Sequence, residues 1–276
     1  MPSKHKNRLI LYLFLLILTL MIMFFLRGYM RQETITTRDY PEIMREDTLR
    51  IVTDYSPVSY YVSGDSISGF DYELAQLIGR RSGLTVAVTP EVNLSKSLQG
   101  LTENRYDIVG RFLPVTTESK QLYNFTEPIV LNKQVLVQRK PEYNNGRSLI
   151  RNQLELAQKT LHIINDEGIR SRIENLAHEI GDTIYIAEEA TYGAEQLVIM
   201  VAKGDIEFAV IHEMIAQQLS KEFPEIDCNT DISFSQFQSW ALRKDAPVLL
   251  DSLNRWLADI KESAEFRALL RKYTRK

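Results

Sequence analysis

The sequence predicts an α/β protein of two similar lobes set behind an apolar amino-terminal segment. Three observations carry that reading. From residue 49 onward, short β-rich runs alternate with helical periodicity, as when helices cross over between strands of a mainly parallel sheet. The stretch LQGLTENRYDIVG has an echo about a hundred residues later in LVIMVAKGDIEFAVI, with the same order of helix, polar turn, acid and apolar strand. Residues 9–26 are apolar throughout except for Thr19.

The amino-terminal run comes first. Lys4, Lys6 and Arg8 precede it with no acid among them, and its 18 residues just suffice to cross a hydrocarbon core as a helix. The basic flank keeps residues 1–8 in the cytoplasm and sends the rest of the chain outward. Phe24-Phe25-Leu26-Arg27-Gly28-Tyr29 lacks the small-x-small pattern of a cleavage site, which favours an uncleaved anchor over a removed leader. A single-pass inner-membrane protein with a periplasmic domain is therefore expected. Residues 27–47, rich in charge and threonine, read as a stalk.

Leu49 to Thr53 is the first strand. Leu74, Leu77 and Ile78 share one face of a helix that Gly83 ends, and Val86 to Val88 returns as a strand. Leu94, Leu98 and Leu101 mark the next helix, and Tyr106 to Val109 the third strand. In the echo, Leu197 and Val201 lie on a helix stopped by Gly204, with a strand over Ile206 to Ile211. Two helices close the chain, one through Leu249, Leu253, Trp256, Leu257 and Ile260, the other through Phe266, Leu269, Leu270 and Tyr273. Trp240 and Trp256 sit on apolar patterns and are expected in the core.

Composition removes several function classes. With 44% hydrophobic and 25% charged residues the chain is neither disordered nor low-complexity. A formal net charge of −3, more acidic still beyond the first 26 residues, does not suit nucleic acid as a partner. Cys228 stands alone, so neither an internal disulfide nor a thiolate cluster forms. His5, His162, His178 and His212 show no metal-ligand spacing, and no GxSxG, P-loop or GxGxxG run occurs. No metal, cofactor or catalytic residue is expected. Two α/β lobes leave a crevice at the carboxyl ends of their strands, which suits a small ligand.

The segments SPVSYYVSGDSISGFDYELAQLIGRRSG and LTENRYDIVGRFLPVTTESKQLYNFTEPI resemble the family 3 extracellular solute-binding proteins, the amino-acid receptors of ABC importers. Together with KGDIEFAVIHEMIAQQLSKEFPEI they are similar to the non-catalytic amino-terminal module of the membrane-bound lytic murein transglycosylases F, over roughly residues 48–274. The resemblance implies a two-lobe periplasmic-binding-protein type 2 fold with two crossing hinge strands. It places the first lobe at 48–136 plus 232–276 and the second at 137–231. The catalytic Glu-Ser motif of those transglycosylases, with its following Gly-Leu-Met-Gln run, is absent, so murein cleavage is not implied.

An amino-acid pocket of this family uses an Arg after a Thr-x-Glu step for the ligand carboxylate and an Asp at the end of a second-lobe strand for its ammonium. Here Thr116-Thr117-Glu118 is followed by Ser119, and the strand Phe208 to Ile211 by His212. A hydroxyl does not replace a guanidinium fork, and a neutral imidazole carries no fixed negative charge. Arg111, in a loop with two apparent extra residues, is a candidate relocated cation, and Arg170, after Asn165-Asp166-Glu167-Gly168, is a second. Arg111 also fits a salt bridge, and His212 also fits a packed, hydrogen-bonded core position. Tyr55 is a candidate for stacking on a ligand, Tyr60 for stacking or core packing, and Asp54 for orienting a neighbour or capping a helix. The ligand-binding candidates are thus Asp54, Tyr55, Tyr60, Arg111, Thr116, Ser119, Arg170 and His212.

Three functions are compatible with these residues. The first is a membrane-anchored receptor that closes on a polar small molecule, anionic if Arg111 serves it, and hands it to a permease or reports it to an envelope protein. The second is an enzyme on the same scaffold, as in cyclohexadienyl dehydratase, with His212 working beside Glu213 or Glu189. The third is a scaffold that has lost its ligand and binds only protein.

Overall fold

Two central sheets, each fed by the same β-α-β-α-β path, dominate the computed structural model, which describes residues 12–24, 38–191 and 193–274. Residues 12–24 form helix α1, within a unit that ends at Thr37. Residues 1–8, the two ends of the expected span (9–11 and 25–26) and the stalk up to residue 37 lie outside the described residues. Among the described residues, no helix is long and apolar enough to cross a membrane.

The first lobe begins at Arg38 rather than at 48. Asp39 caps α2 (Tyr40–Glu46), whose Ile43 is fully buried, and the Arg38 guanidinium donates to Asp107 and to the Thr48 carbonyl. The first lobe then runs β1 (Thr48–Thr53), the hairpin β2 (Tyr61–Ser63) and β3 (Ser66–Ser68), α3 (Phe70–Ser82), β4 (Thr85–Pro90), α4 (Leu94–Thr102) and β5 (Ile108–Pro114). The strand expected from Tyr106 begins at Ile108. Asp107 is instead a buried tie, its carboxylate taken by Arg38 and by the Arg50 amide.

After α5 (Thr117–Leu122), β6 (Tyr123–Phe125) and β7 (Val130–Asn132), the chain leaves the first sheet at Lys133 rather than at 136. The second lobe is β8 (Gln134–Arg139), β9 (Thr160–Ile164), α6 (Glu167–Ile180), β10 (Tyr185–Glu189), α7 (Ala194–Lys203), β11 (Phe208–His212), α8 (Glu213–Glu222) and β12 (Ile226–Asp231). Residues 232–235 carry the chain back to β13 (Gln236–Arg243), followed by α9 (Pro247–Glu262) and α10 (Ala264–Thr274).

Strand order is β4-β1-β5-β13-β6 in the first sheet, with β7 also on β13, and β10-β9-β11-β8-β12 in the second. The sheets are mixed rather than mainly parallel. In each, the first strand of the repeat is flanked in parallel by the other two, and a hinge strand that enters from the opposite lobe lies antiparallel to the third. The sequence echo is this repeat: LQGLTENRYDIVG covers α4 to β5, and LVIMVAKGDIEFAVI covers α7 to β11.

Local chemistry sets the elements. Phe70, Leu74, Ala75 and Ile78 bury one stripe of α3, and Gly83 closes it in the left-handed region at φ 78°. Gly69, before that helix, has φ 132°, and a Cβ there would sit 2.4 Å from the Ser59 carbonyl oxygen, so only glycine fits. Trp240 on β13 is 2% exposed, and Trp256 packs edge-on against Tyr40 with ring centroids 5.6 Å apart.

Candidate functional site

The repeat puts equivalent residues at equivalent places in both lobes. Asp54 follows β1, and Arg111 lies on the neighbouring β5. In the second lobe Asp166 follows β9, and His212 ends the neighbouring β11. In each lobe an acid just beyond one strand thus meets a base on its parallel neighbour, on the side where open α/β sheets bind ligands. All four are at least nine-tenths buried: Asp54 7% exposed, Arg111, Asp166 and His212 5%.

The two halves meet. The His212 ring packs edge-on to Phe112 of β5 at 5.7 Å between centroids. Gly193, capping α7, faces the first lobe closely enough that a Cβ would lie 3.6 Å from Val92 Cγ1 and 3.9 Å from the Tyr55 carbonyl oxygen. The lobes are therefore closed on each other, with the four ionisable groups between them.

Arg111 is held on three sides. Its Nη2 is 3.5 Å from Asp54 Oδ1, and its Nη1 donates to the carbonyls of Glu91 and Val92, each at 3.3 Å. Asp166 is the N-cap of α6: its Oδ1 accepts from the amides of Gly168 (2.8 Å) and Ile169 (3.1 Å), and its Oδ2 is 3.8 Å from His212 Nε2. Burial alone would raise the Asp166 carboxyl. Hydrogen bonding and charge from His212, the Arg111 charge and the Ile169 amide outweigh it and hold the group below the usual carboxylate range. Asp54 goes the other way: burial pushes it up, helped by the Asp166 charge, and Arg111, His212 and Ser56 only partly oppose this.

Asp71 lies behind Asp54. It is 1% exposed on the apolar stripe of α3, and burial, with the negative charge of Asp54, pushes its carboxyl up to about 7 against hydrogen bonding from Ser59 and from Trp240 Nε1, which donates at 3.1 Å. Three buried polar atoms here find no hydrogen-bond partner among the described residues: Asp71 Oδ2, His212 Nδ1 and Thr53 Oγ1.

The remaining candidates sit elsewhere or at the rim. Tyr55, 39% exposed, leans on Tyr60 with centroids 6.5 Å apart, and Tyr60 meets Tyr72 edge-on at 5.5 Å. Thr116 and Ser119 form a capping box at the start of α5, each side chain accepting from the other's amide at 3.1 and 3.0 Å. Thr116 also lines a cavity of about 590 Å³ beside the hinge with Lys120, Thr126, Gln236 and Phe237. Arg170, on the first turn of α6, is paired with Glu188 of β10 and lies 3.9 Å from Glu174. Of the two acids weighed as partners for His212, Glu189 faces His162 at 3.8 Å and Glu213 lies 3.7 Å from Lys133; the partner found is Asp166.

Two residues of the cluster were not singled out from sequence. Asp166 carries the signal of an Asx N-cap directly after an apolar strand, at the same place in the repeat as Asp54. Asp71 carries the signal of an acid three, four and seven residues before the buried Leu74, Ala75 and Ile78. Among the described residues no group of His, Cys, Asp and Glu gathers to hold a metal ion.

Comparison with known proteins agrees with this architecture. Residues 49–276 match the family described as bacterial extracellular solute-binding proteins, family 3. A membrane-bound lytic murein transglycosylase F of Desulfosudis oleivorans is 26% identical over 234 residues, which cover 84% of this chain and 50% of the relative. The one from Photobacterium profundum is 24% identical over 238 residues, covering 85% and 45%. The chain spans about half the length of these curated relatives. Among solved structures, an ancestral arginine-binding protein bound to arginine superposes with a TM-score of 0.72 at 20% identity, covering 82% of this chain and 98% of that one. An ancestral amino acid-binding protein described as a precursor of cyclohexadienyl dehydratase gives 0.72 at 22% identity, covering 84% and 98%.

Proposed function

This chain belongs to the bacterial extracellular solute-binding proteins of family 3, and from that premise we propose that it is a receptor module whose two lobes close on a small polar solute of amino-acid or peptide size. One observation carries the reading: in each lobe a buried acid just beyond one strand meets a buried base on its parallel neighbour. Burying four ionisable side chains costs stability unless they are paired, and proteins keep such groups mostly where they bind or react. Closure brings the second pair to the first, so a ligand touching both gains contacts only in the closed state and shifts the population toward it. The reading is one of binding without turnover.

The apolar run at residues 9–26, its basic flank and α1 inside it support an uncleaved inner-membrane anchor with the lobes in the periplasm. Tethering raises the local concentration of any partner in the same membrane, so a permease or a cell-envelope protein is the proposed recipient of the ligand or of its signal. The full chain, purified in detergent micelles, tests the receptor reading. Paired spin labels on the two lobes should report one narrow distance when a panel member binds and a wider, longer distribution without it. Saturable melting shifts from amino acids or small peptides, with no change in the interlobe distance, refute closure on a ligand. Alkaline phosphatase fused after Lys276 should be active in cells, and an inactive fusion refutes the orientation.

A further inference from the structure

We infer that the crevice takes a small organic cation lacking a carboxylate, an amine or a guanidine, held between Asp54 of the first lobe and Asp166 of the second. This rests on the receptor reading and specifies its ligand.

The chain's own carboxylates already fill both places where an anion would dock. Arg111 turns Nη1 to the carbonyls of Glu91 and Val92 and Nη2 toward Asp54. The free amides at the start of α6 are a ready anion site in general, but here they donate to Asp166. A ligand carboxylate entering the crevice would compete with Asp54 and Asp166 for these donors.

The charge balance points the same way. Two buried carboxyls from opposite lobes, Asp54 and Asp166, border the crevice beside Arg111 and His212. A cation seated between these two carboxyls is attracted to both, whereas an anion there is repelled by both.

The unpartnered atoms give the third argument. His212 Nδ1 is buried with no hydrogen-bond partner among the described residues. Asp71 Oδ2 likewise has none. Ammonium and guanidinium groups supply donors only, so they suit the carboxyl oxygens of Asp54 and Asp166. At the rim, the half-exposed Tyr55 ring next to Asp54 offers a π face to the same charge.

Agmatine and L-arginine share a guanidinium and differ by one carboxylate, which makes them the decisive pair. The full chain in detergent micelles is titrated calorimetrically with agmatine, putrescine, choline, L-arginine, L-glutamine and succinate. Agmatine should bind roughly tenfold or more tightly than L-arginine, and succinate should not bind. Asp54→Asn and Asp166→Asn should each weaken agmatine about tenfold or more. Asp166→Asn keeps a capping oxygen, so it should still fold cooperatively, with a lower melting temperature from the lost carboxylate charge. If L-arginine, L-glutamine or succinate binds and none of the three carboxylate-free cations does, the cation inference falls and the receptor reading stands. Agmatine binding that neither Asn variant weakens also overturns the inference, and silence from all six compounds overturns both.

Discussion

Replacing Asp71 by Asn changes the electrostatics beneath the crevice and leaves its shape almost untouched. Burial lifts this carboxyl from an ordinary 3.8 to about 7. A raised carboxyl stabilises the fold only while protonated, so its contribution is complete below pH 3.8 and disappears as pH climbs through about 7. A gap of about three pH units corresponds to about 4 kcal/mol. Asn stays neutral throughout and keeps an oxygen for the Trp240 Nε1 proton, now received at 3.1 Å. Its amide nitrogen, however, would stand where Asp71 Oδ2 has no partner, at a cost of about 1–3 kcal/mol at any pH. Urea denaturation of Asp71→Asn should therefore show a crossover. The variant should be less stable than the parent near about pH 4 and more stable by about 1–3 kcal/mol near about pH 8. A stability difference that does not vary with pH would refute the reasoning.

Arg111→Met should leave Asp54 buried without its guanidinium and cost about 3–5 kcal/mol at neutral pH, measured by denaturant unfolding, with less loss in acid; a neutral effect would mean the pair is not formed. Gly69→Ala combines a φ of 132° with an overlap on the Ser59 carbonyl and should cost about 3 kcal/mol or more, and a melting temperature equal to the parent's would contradict that geometry. Tyr273→Phe removes the oxygen that accepts from the Gly69 amide at 2.7 Å and the hydroxyl that donates to Glu73 at 2.6 Å. It should cost about 1–2 kcal/mol and speed hydrogen exchange at Gly69, and an unchanged exchange rate would argue against the tie.

The lobes were legible because their signals are local. Apolar periodicity, glycine stops at Gly83 and Gly204, and the repeated helix–turn–acid–strand segment fix each unit from within. The direction of the hinge strands was not, since nothing within β8 or β13 says that each enters a sheet from the other lobe and lies antiparallel. Asp54, Arg111 and His212 were singled out from sequence, Arg111 as a loop residue that the structure puts inside β5. What they pair with depends on residues distant in sequence: Asp54 meets Arg111, and His212 meets Asp166, through lobes that must first fold and close. Ser119 shows the opposite case. Its role as one half of a capping box with Thr116 is written in four adjacent residues, and the structure places it there.

The two hinge crossings also fix an order of assembly on the ribosome. Every strand of the second sheet lies between Gln134 and Asp231, so that lobe is complete once a single continuous stretch has emerged. The first sheet lacks β13, the strand that joins β5 to β6 and β7, until residues 236–243 are made, and the Gly69–Tyr273 tie waits for the last helix. The half synthesised first is thus the half finished last, and until then β5 exposes an unpaired edge that a chaperone or a neighbouring chain can occupy.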